Sequence, residues 1–353
     1  MKRAMIWYLL VSGVIVSGIS CSKNASDAHV QGKKWIVTTI AGDGRSFFAD
    51  GPVLSAAFKS PLDVAVDANG IIYVADGINH RIRKIADGQV STYVGTGRGD
   101  TVSGNIGNAS FSVPDQLVLD NSGNLYALDI EDPRVRKISN AGFVSVYAGS
   151  GTKGFADGSA ASAQFGEEAS GIAIDEQGNI FMTDFDNRRI RKINTNGDVT
   201  TIAGNGNMGF VDGKGDSAQF FAPAGIVVDK HGNVFVGDWN RIRKIAPDGT
   251  VSTFAGQDSS GFRDGSPGQA LFSFIMDLAM DDEGNIYLSD ENRIRKVTPQ
   301  GVVSTIAGGE AGYEDGDGTV AKFFNPAGLG IDKKGNIYVA DDQNHRIRKI
   351  SFE

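Results

Sequence analysis

One phrase of sequence is written six times in this chain. The clearest copy, at residues 325–350, reads N-P-A-G-L-G-I-D-K-K-G-N-I-Y-V-A-D-D-Q-N-H-R-I-R-K-I. A second phrase, V-S-T-I-A-G in its fullest form, begins at Val37, Val90, Val144, Val199, Val251 and Val303, so successive copies lie 52 to 55 residues apart. A period this long, built from several short strand-like runs, points to a propeller or a similar array and not to a helical solenoid. Each unit carries four strand signals. They are the apolar run at 329–331, the run at 336–340 after a D-x-x-G turn, the alternating 346–350 and the V-S-T-I-A phrase. Four strands make one propeller blade.

The order of the pieces predicts how the ring closes. The chain enters with a lone fourth strand at 35–41 and ends on a lone third strand at 346–350. Six blades balance only if the N-terminal strand completes the last one, with 37–41 paired against 347–350, which also removes two open sheet edges. The expected fold is all-β, a six-bladed β-propeller of four-stranded blades closed in this way.

Three phrases carry a resemblance to a known family: P-A-G-I-V-V-D at 223–229, G-N-I-Y-V-A-D at 335–341, and N-H-R-I-R-K-I at 79–85 and 344–350. The chain resembles the NHL-repeat proteins over about residues 35–351, although His follows Asn only at His80 and His345, and Arg stands where the family name has Leu. The resemblance implies a six-bladed propeller, as in many members.

Ahead of the repeats, residues 1–20 read as a signal segment: Lys2 and Arg3 precede a mostly apolar run that ends at Ser20. The chain's single cysteine, Cys21, follows directly. This arrangement resembles a bacterial lipoprotein signal, in which Cys21 is lipidated, although Gly18 stands where Leu or Val is usual. Residues 21–34 are polar and aperiodic and read as a tether, with the propeller at 35–353. The expected location is extracytoplasmic, anchored to a bacterial membrane by lipid alone. The propeller itself holds no cysteine, and a chain of this size buries enough core without disulfides.

A net charge of −8 argues against nucleic acid, which rewards basic surfaces through counterion release. The R-I-R-K strands are basic, yet each copy also holds a recurring acid (Asp76, Asp129, Asp184, Asp238, Asp290 and Asp341), so they read as structural charge pairs with snorkelling stems.

What recurs six times is scaffold, and function lies where the copies differ. By that rule Phe58, Phe111, Phe165, Phe220, Phe272 and Phe323 read as plugs between blades. The D-G pairs at Asp50, Asp157, Asp212, Asp264 and Asp315 read as Asx-type turns, because calcium needs several clustered carboxylates. Histidines are few, and no nucleophile motif appears. The differences sit at the entrance to the first strand. Where three blades keep Gly171, Gly225 and Gly328, the others place Asp63, Gln116 and Asp277; nearby, Glu168 and Asn325 also depart from their counterparts. The turn between second and third strands is short in two adjacent blades, which cuts a notch in the rim, and one of these turns carries Trp239. Trp239 suits a ligand contact, or it folds onto Arg241 or Arg243 as packing.

The expected function is a monomeric binding module for a protein or glycan of the cell envelope. One alternative is a lyase or lactonase of the kind known from related propellers, with Asp63, Gln116, Glu168, Asp277 and Asn325 approximating a calcium or magnesium site at the channel. The other is a structural envelope component. No cofactor is expected on the leading reading.

Overall fold

The computed structural model describes residues 32–353. The expected signal segment 1–20, Cys21, His29 and most of the expected tether lie outside the described residues. Six antiparallel sheets account for the strands of Lys34–Glu353. In blade 4, strands Pro223–Val228, Val234–Asp238, Arg241–Ile245 and Thr250–Gly256 lie side by side in chain order, from the ring's centre outward. The other blades repeat this order. Turns from second to third strand and loops from fourth strand to the next blade open on one face, called upper here; the D-x-x-G turns open on the lower face.

Blade 6 is assembled from both ends of the propeller. Its first three strands are Pro326–Ile331, Ile337–Asp341 and Arg346–Phe352, and its fourth is Trp35–Ala41. Val37 pairs with Ile350 and Ala41 with Ile347, the closure expected from the sequence. Backbone bonds between Lys34 and Glu353 at 2.5 and 2.9 Å extend the seam.

Four blades gain a two-residue outer strand that the sequence reading did not anticipate: Gly51–Pro52, Gly104–Asn105, Gly213–Lys214 and Gly316–Asp317. In blades 3 and 5 single bridges, Gly158 to Val199 and Gly265 to Val303, take its place. The D-G pair produces this feature. Its Gly is extended with positive φ, 142° at both Gly158 and Gly265, which lets the loop double back along the fourth strand. Its Asp is therefore not occupied in an Asx turn. Asp212 accepts the Thr253 N–H at 3.1 Å and the Arg243 guanidinium at 2.7 Å, and the corresponding Asp does the same in blades 3, 5 and 6, while in blade 1 Asp50 accepts the Arg83 guanidinium and the Thr92 hydroxyl.

The middle Arg of each R-I-R-K strand is buried outright, so the snorkelling expected for it does not occur. Arg243 donates inward to Asp238 at 3.0 Å and outward to Asp212, with its guanidinium 5.2 Å from the Phe220 ring. Arg83, Arg191, Arg295 and Arg348 repeat the arrangement with Asp76, Asp184, Asp290 and Asp341. Phe58, Phe111, Phe165, Phe220, Phe272 and Phe323 are buried plugs, as expected. Blade 2 departs from the pattern. Ser103 replaces the outer Asp and lies 3.3 Å from Arg136, whose ion pair shifts to Asp132 at 3.5 Å.

Candidate ligand-binding face and central channel

The two short turns, Trp239-Asn240 in blade 4 and Glu291-Asn292 in blade 5, each use a left-handed residue, with φ of 60° at Trp239 and 51° at Glu291. Blades 1 and 6 use longer 3-10 turns, Gly77–Asn79 and Asp342–Asn344. The expected notch therefore spans blades 4 and 5. Within it, Trp239 does not fold onto either neighbouring Arg. Its ring lies between Phe221, 5.5 Å away at 58°, and Phe274, 4.9 Å away at 73°. Phe221 in turn stacks on Phe210 at 5.1 Å and 8°. Phe210 covers the Arg241 guanidinium at 4.0 Å, and that Arg pairs with the exposed Asp258.

The result is a row of four half-buried aromatic rings, Phe210, Phe221, Trp239 and Phe274. Sequence reasoning singled out only Trp239. Its partners were detectable in part: the place of Phe221 is taken by Lys59, Ser112, Gly166 and Ser273 in four copies and by Phe324 in blade 6. Polar groups continue the row. The Ser273 hydroxyl donates to Glu291 at 2.5 Å; the Asn325 N–H donates to Asn292 Oδ1 at 3.0 Å, and the Asn325 amide to Asp342 at 3.2 Å. Trp239 and Asn325 thus share one sector of the rim. Glu168 lies elsewhere, in blade 3, where its side chain is buried and its N–H donates to Asp186 at 2.9 Å.

Asp63, Gln116 and Asp277 lie deeper, on the inner strands, and all three are buried. Asp63 accepts the N–H of Val64 at 2.7 Å and that of Leu117, in the next blade, at 2.8 Å. Asp277 accepts the N–H of Leu329, also in the next blade, at 2.9 Å. These carboxylates act as latches between adjacent inner strands. The glycines facing them answer to the same packing: a Cβ on Gly328 would sit 2.6 Å from the Asp63 Cα, and one on Gly225 would sit 2.6 Å from the Leu278 nitrogen. Burial, then the nearby Asp277 charge, pushes the Asp63 carboxyl well above the usual carboxylate range. Among the described residues, no three His, Cys, Asp or Glu side chains are grouped as metal ligands.

Comparison with known proteins agrees with this architecture. The chain matches the family model for the teneurin NHL domain over residues 41–207 and that for the NHL repeat over residues 323–350. It is similar to Protein SUPPRESSOR OF QUENCHING 1, chloroplastic, of Arabidopsis thaliana, at 26% identity over 332 residues; the match covers 90% of this chain and 27% of that protein. The chain therefore spans about a quarter of this relative's length. Among solved structures, a Bacteroides thetaiotaomicron protein of unknown function superposes with a TM-score of 0.71 at 22% identity, covering 91% of this chain and 76% of that one. An auxiliary nutrient binding protein from the same organism superposes with a TM-score of 0.67 at 19% identity, covering 93% and 79%. With six blades in register and a recognised repeat at its end, the chain belongs to the NHL-repeat β-propellers.

Proposed function

We propose that this propeller is a lipid-anchored extracytoplasmic binding module whose upper face, around Trp239, takes a protein or glycan ligand. The carrying observation is the aromatic row itself: the counterparts of Phe210, namely Phe48, Phe155, Phe262 and Tyr313, cover the equivalent Arg of their blades, whereas at blades 4 and 5 Phe221, Trp239 and Phe274 extend that ring into a continuous row. Aromatic rings with one wet face, beside hydroxyl, amide and carboxylate groups, suit both kinds of ligand. Two Bacteroides structures similar in fold are auxiliary nutrient binding proteins, which fits a binding role.

The metal-dependent lyase or lactonase reading gains nothing from the geometry, because Asp63 and Asp277 each commit an oxygen to a backbone N–H of the next blade. The binding reading is tested by capture from envelope extract and on a glycan array, using the mature chain beside Trp239→Ala and Phe274→Ala. Loss of capture in both variants, with unchanged melting, is expected; capture that survives both substitutions refutes the face. The anchor is tested separately: Cys21→Ser is expected to move the protein from the membrane to the soluble fraction.

A further inference from the structure

The lower face holds a cavity of about 730 Å³ beneath blades 3, 4 and 5, on the side opposite Trp239. Its floor is apolar for a reason visible blade by blade. In blades 1 and 2 the second and fourth strands contribute a pair of tyrosines, Tyr73 with Tyr93 and Tyr126 with Tyr147, at ring separations of 4.9 and 5.0 Å. In blade 4 the same pair is Phe235 with Phe254, 5.0 Å apart. Tyr126, Tyr287 and Tyr338 turn their hydroxyls onto the Asp of the adjoining D-x-x-G turn at 3.3, 3.2 and 3.0 Å, whereas blade 4 has a bare ring in this place. Met280, Ile286 and Pro299 of blade 5 complete the apolar wall.

The rim is acidic. Asp175, Glu176, Asp229, Asp281, Asp282 and Glu283 line the cavity, against Lys230, His231 and Lys244. Asp229 and Asp281 are held in their turns, Asp229 by the N–H groups of His231 and Asn233 at 2.9 and 2.8 Å. Glu176, Asp282 and Glu283 sit on exposed turn tips. Lys244 directs its ammonium over the Phe235 ring at 5.7 Å, so it already shows how the floor receives a cation. A concave apolar floor with a few charged groups at its edge is the usual build of a small-molecule site.

We propose that this cavity is a second binding site, specific for a small organic cation: an ammonium on an apolar body, its ring or chain against Phe254 and Met280 and its charge at Asp282 and Glu283. The site is independent of the upper face.

The test is a titration of the mature chain, followed by NMR and calorimetry, with phenethylammonium, phenylalanine, 2-phenylethanol and phenylacetate. Phenethylammonium is expected to bind best and phenylacetate worst, with affinity falling as salt is added. The double variant Asp282→Asn, Glu283→Gln is expected to bind about three- to tenfold more weakly while 2-phenylethanol is unaffected. Phe254→Ala is expected to lose at least about tenfold for both. Trp239→Ala is expected to leave the titration unchanged, so failure of the upper-face reading and failure of this one are distinguishable. Equal binding of the alcohol and the ammonium, tighter binding of phenylacetate, or no binding of any probe overturns the proposal.

Discussion

Asp63 of blade 1 accepts the backbone N–H of Leu117 of blade 2 at 2.8 Å, across the joint between two inner strands. Burial and the charge of Asp277 hold its carboxyl well above the ordinary range, so the folded state favours the protonated form. For a raised carboxyl the sign is fixed: the group's contribution is complete below its unfolded pKa, about 3.9, and is lost as pH rises toward its folded value. Asp63→Asn removes this titration. Denaturant unfolding at several pH values is expected to show wild type losing stability relative to Asp63→Asn as pH rises from about 4. A pH-independent difference between the two proteins rejects this account.

Asp63→Ala tests the latch itself. It leaves the Leu117 N–H without its acceptor inside the ring, an expected loss of about 1–3 kcal/mol. Asp277→Ala does the same to Leu329. The two carboxyls also repel each other, so each single loss is offset by relief of that repulsion, which the double variant gains only once; its loss is expected to exceed the sum of the single losses, and strict additivity contradicts this coupling.

The fully buried Arg243 stands between Asp238 and Asp212. Arg243→Met is expected to destabilise by about 3–5 kcal/mol, because it leaves Asp238 buried without a counter-charge. Asp212→Ala is expected to cost much less, about 1 kcal/mol, since Asp212 is 48% exposed and solvent screens its pair. Arg243→Lys does not rescue the first loss, as one ammonium cannot span both carboxylates and two backbone carbonyls. Equal melting shifts for Arg243→Met and Asp212→Ala contradict this ordering.

The repeat made the six blades, the closure strand and the plug phenylalanines readable, since each follows from period and pattern along the chain. The recurring Asp and Arg were equally visible. Their burial was not, because whether an Arg stem reaches water depends on the loop folded over it, here the D-G segment carrying Asp212. Trp239 stood out as a departure from its copies; its stacking with Phe221 and Phe274 depends on how blades 4 and 5 meet in space. The same holds for Asp63, whose position suggested an open channel group and whose carboxylate is tied to Leu117. Phe254 was visible as a departure from the Tyr or Ile of the other copies, and Phe235, like Phe181, as Phe in the place of Tyr, but strand pairing is needed to bring Phe235 and Phe254 together.

Blade 2 offers a gain instead of a loss. Asp129 is pushed up to about 7, first by burial, while the N–H groups of Ser112 and Val113 and the Arg136 charge pull the other way. Its stabilising effect is therefore complete below about 3.9 and declines up to about pH 7. Ser103→Asp restores the outer carboxylate that the other blades carry, and is expected to add up to about 1 kcal/mol at neutral pH. Asp129→Asn is expected to flatten the part of the pH profile below 7. An unchanged profile assigns that slope to other groups.

Closure of the ring yields the last test. Trp35 packs on Phe352 at 4.8 Å and meets Tyr287 edge-on at 6.2 Å, so one side chain joins the first strand of the chain, the last strand and blade 5. Among the described residues no covalent link supports this joint; backbone hydrogen bonds and the apolar packing of Trp35, Val37 and Ala41 hold Trp35–Ala41 to Arg346–Phe352. Trp35→Ala is expected to cost about 2–3 kcal/mol through lost aromatic burial. Hydrogen exchange shows where the cost falls. Amides of the two paired strands in blade 6 are expected to exchange faster, while the third strand of blade 3, Arg189–Ile193, keeps its protection. Uniform acceleration across all six blades means that the ring opens only as a whole, and that the seam is no weaker than the covalently continuous blades.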